Sequence, residues 1–282
     1  MLKDFKLGLK SHVDALKFIF KHKFWIYFIF PAILFMGIYY IGFYFKNLTN
    51  LYNAPEDAGL FLSLWYFFIQ GVFLLLSYMF LNFIRYIIII LMSPLLSIVS
   101  ERTEKILTGN TYKFNLVQLI KDVKRAINLS VRNLLWELIM GFICILVLFL
   151  SSIFIDYSDG VYSFLRSLLL TIIAFYYYGF GFMDYIMERL RLDIKESIVF
   201  VRKHKGFAIA LGAIFTPLFH YLHNFLQSIE THDWLFYVTL FVSVIIISFV
   251  PIFSMVAATI GINQIIDLKS NPYAKSKDQI ED

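Results

Sequence analysis

Apolar and polar positions alternate along this chain in long blocks. Six runs are strongly apolar, Phe24–Phe45, Leu60–Leu81, Leu138–Ile155, Val161–Met183, Phe207–Phe219 and Trp234–Ile266. A helix rises about 1.5 Å per residue, so roughly 20 apolar residues cover a bilayer core about 30 Å thick. Most of the runs meet that length. Phe207–Phe219 does not, and it carries Gly212 and Pro217 before His220, which predicts a half-penetrating or re-entrant helix. The last run is too long for one straight crossing and holds Pro251, which predicts a broken helix. The chain reads as an all-α integral membrane protein with about six membrane-inserted segments.

The polar blocks predict further helices. Leu2, Phe5, Leu9, Val13, Leu16 and Phe20 recur every three or four residues, with lysines around the rest of the helix. Residues 1–23 therefore read as an amphipathic helix lying on a membrane surface or docked on the protein itself. Pro31 predicts a kink early in the first membrane helix, and the 53–57 turn closes its far end. The stretch from Leu60 to Val99 is too long for one helix. Ser93-Pro94 gives a start signal for a new one, with Ser as N-cap, and Gly109-Asn110 gives its stop. Residues 111–133 predict a second amphipathic helix, with Leu116, Leu119, Ile120, Val123, Ile127 and Val131 on one side. The 93–133 and 184–206 stretches are read as cytoplasmic helices. They belong with 1–23 to one membrane domain over 1–268, followed by a polar tail, 269–282.

Charge sets the orientation. Of 25 Lys+Arg residues, six lie in 1–23, seven in 100–135 and six in 184–206, while the loop 220–233 has none. Basic loops stay cytoplasmic, so the alternation predicts six insertions with both termini in the cytoplasm. A net charge of +5 and a pI near 9.0 are explained by loops facing anionic lipid, which leaves no case for nucleic acid. The hydrophobic share of 60% and mean hydropathy of +0.72 agree with a membrane protein. A single Cys144 excludes a disulfide framework and a cysteine metal site. The basic amphipathic start is unlike a cleavable signal peptide. No Ser/His/Asp arrangement, phosphate loop or paired-carboxylate signature points to an enzyme, and no cofactor is implied. Lys21-His22-Lys23 and Lys203-His204-Lys205 each precede an apolar run, a short internal echo.

Several ordered stretches carry a family resemblance. They are Ser93-Pro94-Leu95-Leu96 through Glu101, Glu104 and Gly109 with the 120–125 block, Met183-Asp184-Tyr185 through Arg202-Lys203 to Gly212-Ala213, and Val250-Pro251 through Ala257-Ala258-Thr259, with Pro31 upstream. Together they resemble the CysZ-type sulfate permeases and the related etoposide-induced membrane proteins, over most of residues 5–266. The resemblance implies a homo-oligomeric helical protein of the cell inner membrane that passes sulfate, with some helices crossing and some hairpins penetrating part way. Where that family has a Gly and paired arginines at the start of the first membrane helix, this chain has Lys23-Phe24-Trp25-Ile26. It also has Ile186-Met187 where a Pro usually follows Asp184-Tyr185.

An oxyanion crossing a bilayer needs cations and N–H donors that do not trap it. Lys21 and Lys23 flank the helix start where the family's arginines would be, and both also suit a topology-setting role at lipid phosphates. Arg85 lies within an apolar stretch, where a charge is costly unless paired or wetted. Asp184 is its candidate partner, and snorkelling to the interface is the alternative. His220 and His223, spaced i, i+3, and His232 beside Glu230 and Asp233 are weak candidates for a divalent metal. Two functions follow: a channel-like permease for a small oxyanion, sulfate first, or a non-transporting membrane-organising or assembly factor that binds anionic lipid.

Overall fold

The structure, a computed structural model, describes residues 1–55, 57–82, 84–112, 116–228 and 234–270. Every element among them is helical. In chain order they are α1 (Leu2–Lys21), a 3-10 segment Phe24–Phe28, α2 (Ile29–Leu51), α3 (Leu60–Asn82), α4 (Ile84–Leu91), α5 (Ser93–Thr108), α6 (Leu116–Ser152), α7 (Asp159–Arg189), α8 (Ile194–Lys203), α9 (Lys205–Ser228), α10 (Trp234–Ile265) and a closing 3-10 turn Leu268–Ser270. Five of the helical segments are long and apolar enough to cross a membrane, and Lys205–Leu218 is a shorter apolar one.

Local chemistry accounts for several boundaries. The chain breaks at Met92 between α4 and α5, with Pro94 in the first turn of α5. Pro is tolerated there because the first N–H groups of a helix have no intrahelical partner. Met92 occupies the cap position rather than the expected Ser93, whose buried hydroxyl has no hydrogen-bond partner. Gly109 ends α5 in the left-handed region at φ 86°, a conformation that costs glycine little. Asp193 caps α8 in a reciprocal capping box with Glu196.

Two expected boundaries are not there. The 111–133 stretch and the run after it form one helix, α6, of 37 residues; nothing between Asn133 and Leu138 is a helix breaker. The last run is likewise one continuous 32-residue helix, α10, with Pro251 inside it. Within a bundle, neighbouring groups and small local adjustments re-satisfy the backbone that Pro frees. Pro31 falls in the first turn of α2, just after the 3-10 segment changes to α-helix at Ile29.

α7 and α9 run antiparallel at unusually close range. A Cβ on Gly179 would lie 1.8 Å from the Ala208 carbonyl oxygen, and one on Gly212 would lie 2.0 Å from that of Phe175. Both obstacles are backbone, so glycine at these two positions sets the helix spacing, as small residues do between membrane helices. α2 and α3 form a second antiparallel pair, joined by Phe45 against Phe73 and Phe80 and by Tyr52 against Phe73.

α1 docks on α9 and α10, but not through its apolar stripe. Its buried residues are Gly8, Ser11, His12, Ala15 and Ile19. Leu2, Leu9, Val13, Leu16 and Phe20 remain 43–77% exposed. At about 100° per residue the lysines form a third stripe beside them. The Nδ1–H of His12 donates to the Gly8 carbonyl at 2.8 Å, its buried Nε2 has no partner, and its ring lies against Phe253. Burial holds this imidazole below its ordinary pKa.

The short echo has a shared local geometry. α1 ends with Phe18 against His22, ring centroids 4.4 Å apart, and α8 ends with Phe200 against His204 at 4.8 Å. In both cases the histidine is the C-cap. The second junction also meets the first helix, through His204 Nδ1 at 3.4 Å from Asp4 Oδ2.

Candidate functional site

The first membrane segment begins at Lys23, which sits in the left-handed region at φ 58° and makes no side-chain cap. Lys21 and Lys23 are exposed, and the Phe24 that follows is buried. Neither lysine forms an ion pair among the described residues, and neither lines the cleft described next.

A different cation reaches this stretch. Arg102, from the middle of α5, places its guanidinium 5.2 Å from the ring centre of Phe24 and 5.6 Å from that of Tyr27. Its Nη1–H donates to the Tyr27 hydroxyl at 2.9 Å. No carboxylate pairs with it among the described residues. Arg102 and Lys105, one turn apart, line a cleft of about 580 Å³ with Tyr27, Glu101, Asn110, Thr111 and Tyr112. Two cations and one carboxylate line this cleft, a small positive excess. In the sequence Arg102 carries only a topology signal, as one of the basic residues of 100–135. Its role depends on α5 folding back against residues 24–28, which follows from the break at Met92 and from no local motif.

Two ion pairs with little exposure tie the neighbouring helices together, and the second borders this cleft. Asp184 accepts from Arg125 Nε at 3.0 Å and Nη2 at 2.7 Å, and from the Ser197 hydroxyl at 2.5 Å. Arg125 also donates from Nη1 to the Leu192 carbonyl at 2.6 Å. The cation that Asp184 holds among the described residues is thus Arg125. Arg85 lies on α4 with its side chain outside the described residues. The second pair is Glu104 with Arg189 at 2.9 Å, both almost fully buried. Glu104 further accepts from Asn110 Nδ2 at 3.0 Å and the Tyr112 hydroxyl at 2.5 Å, and Asn110 donates to the Leu268 carbonyl at 2.7 Å. Gly109 makes that return possible by reversing the chain after α5. Removing one member of such a pair leaves an uncompensated buried charge, worth about 3–5 kcal/mol, so both pairs are read as supports that hold α5, α6, α7 and the closing turn together.

His220 and His223 lie on α9 with side chains outside the described residues, and Glu230, His232 and Asp233 fall in the 229–233 stretch, also outside them. Among the described residues no group of three or more His, Cys, Asp or Glu is placed to hold a metal.

The family described as "Sulfate transporter CysZ/Etoposide-induced protein 2.4" matches residues 11–222. No curated protein matches the chain. The family match covers the second half of α1 through most of α9, including the Arg102 cleft and both ion pairs, and the chain belongs to this family.

Proposed function

We propose that this member of the sulfate transporter CysZ/etoposide-induced protein 2.4 family is a channel-like permease for a small oxyanion, sulfate first. On this reading it sits in the cell inner membrane as a homo-oligomer with both termini in the cytoplasm. The observation that carries the reading is the Arg102 cleft at the start of the first membrane segment. The family's paired arginines are absent there, and Arg102 with Lys105 supplies cationic charge at the same helix start from α5. The remaining N–H donors of Arg102 and the Tyr27 hydroxyl suit an oxyanion arriving from water.

A second reading is favoured by one observation, the free apolar stripe of α1 beside its lysines. That geometry suits a helix lying at an anionic membrane surface, as in a membrane-organising or assembly factor that transports nothing. Reconstitution separates the two. Purified protein in liposomes should take up labelled sulfate above protein-free vesicles. Absence of flux for sulfate, selenate and thiosulfate, together with tight binding to anionic vesicles, would decide for the second.

A further inference from the structure

Between α6 and α7, away from the Arg102 cleft, lies a cavity of about 140 Å³ lined by Arg132, Trp136, Met140, Tyr176, Tyr177, Phe180 and Arg202. Neither arginine is in an ion pair among the described residues. Arg132 donates to the neighbouring Asn133 Oδ1 at 3.1 Å and its guanidinium carbon lies 5.8 Å from the Phe180 ring centre. Both guanidiniums line this cavity together with the two tyrosine phenols. Glu137, a carboxylate on α6 beside Trp136, lines a different cavity and accepts the Tyr86 hydroxyl.

The arrangement is directional. Arg132, Trp136 and Met140 recur every four residues and so form one stripe on α6. That stripe passes from the charged part of the helix into its apolar run. Tyr176 and Tyr177 face it from α7, and Arg202 closes the charged end from α8. Cations and phenols at one end with Trp and Met at the other are what a lipid phosphate and the start of its acyl chains require. Trp and Tyr also concentrate at that depth of a bilayer, and Arg binds phosphate through a planar fork of donors.

We propose that Arg132 and Arg202, with the Tyr176 and Tyr177 hydroxyls, hold a tetrahedral oxyanion. It is delivered either as the phosphate of an anionic membrane lipid or as a free ion of the same shape. The free-ion source rests on the permease reading; the lipid source does not.

The test uses the purified full chain in detergent with two pairs of probes. Dioleoylphosphatidylglycerol is compared with a phosphate-free glycosyl diacylglycerol by native mass spectrometry. Sodium sulfate is compared with sodium chloride at equal ionic strength by thermal shift. Arg202 is exposed and in no ion pair among the described residues, so Arg202→Gln should fold as the parent does, and Arg132→Gln is the second variant. Each lost charge-assisted contact should weaken the preferred probe by about tenfold or more, whereas Lys195→Gln, an exposed cation on the same helix, should bind like the parent. Preference for phosphatidylglycerol assigns the lipid source, and preference for sulfate assigns the free ion. No preference within either pair, or unchanged binding in folded Arg202→Gln and Arg132→Gln, would overturn the site. Binding without sulfate flux leaves the site standing and removes the permease reading alone.

Discussion

α10 and α3 are both long apolar helices, and their surroundings are opposite. In the most apolar stretch of α10, 61% of residues are buried, against 6% in α3. α10 is packed by α1, α2, α5, α7 and α9. α3 touches α2 and α4 and leaves Phe61, Phe67 and Phe68 61–85% exposed. Both are strongly apolar, and the buried helix is also the one with small residues and small polar groups on its packed face. The buried face of α10 carries Ser243, Ser248, Ser254, Ala257, Ala258, Thr259 and Gly261, and Thr259 pairs with the Ser100 hydroxyl at 2.8 Å. α3 is built mostly from Leu, Phe, Trp and Tyr. Lipid tails are as apolar as leucine, so helices in a bilayer associate through close backbone approach and hydrogen bonds.

Truncation should show the largest contrast. Ile252 on α10 is fully buried and Phe67 on α3 is 74% exposed. Ile252→Ala should cost about 2–5 kcal/mol, and Phe67→Ala should stay within about 0.5 kcal/mol. Thermal unfolding in one detergent measures both, and equal losses would break the comparison.

Adding an atom should give a smaller contrast. A Cβ on Gly261 would lie 2.3 Å from the buried Phe207 ring and 2.7 Å from the Ser11 hydroxyl, whereas nothing lies within 4 Å of one on Gly71. Gly261→Ala should cost about 1–3 kcal/mol through overpacking. Gly71→Ala should gain up to about 1 kcal/mol in helix propensity. A melting temperature that rises in both variants would mean α1 and α9 are not seated on α10 as described.

The smallest effect is a pH dependence confined to the α10 side. His12 lies between α1 and Phe253 with its pKa held down by burial. The unfolded chain therefore takes up the proton first. Stability is complete above the ordinary histidine value of about 6.5 and falls as pH drops below it. The melting temperature should decline between pH 7.5 and 5.5, and part of that slope should disappear in His12→Asn. An identical slope in the variant would show that His12 does not couple docking to pH.

Much of this was legible in the chain. The six apolar runs, the break beside Ser93-Pro94 and the stop at Gly109 follow from period, length and turn chemistry. What was not legible depends on partners distant in sequence. α1 offers Leu2, Leu9, Val13, Leu16 and Phe20 as its evident packing face, yet it docks through smaller and more polar residues because Gly8 can approach Ala210 of α9. Asp184 meets Arg125 from 59 positions away, a pairing no local pattern announces. The fusion of residues 116–152 into α6 was hidden because the change from charged to apolar composition resembles a boundary, although helix propensity continues through it. Arg102 was passed over for the same reason as the α1 face, since only the return of α5 brings it to Phe24 and Tyr27.

Sulfate uptake by proteoliposomes of the parent and Arg102→Gln, at matched protein content, tests the central claim most directly. Arg102 is exposed and among the described residues makes one side-chain hydrogen bond, to Tyr27, so the variant should stay folded at a cost of about 0.5–1.5 kcal/mol. The account predicts uptake by the parent above protein-free vesicles and a loss of about tenfold in the variant, the size of one charge-assisted contact. Parent vesicles that take up no sulfate, or a folded variant that transports as the parent does, would contradict it.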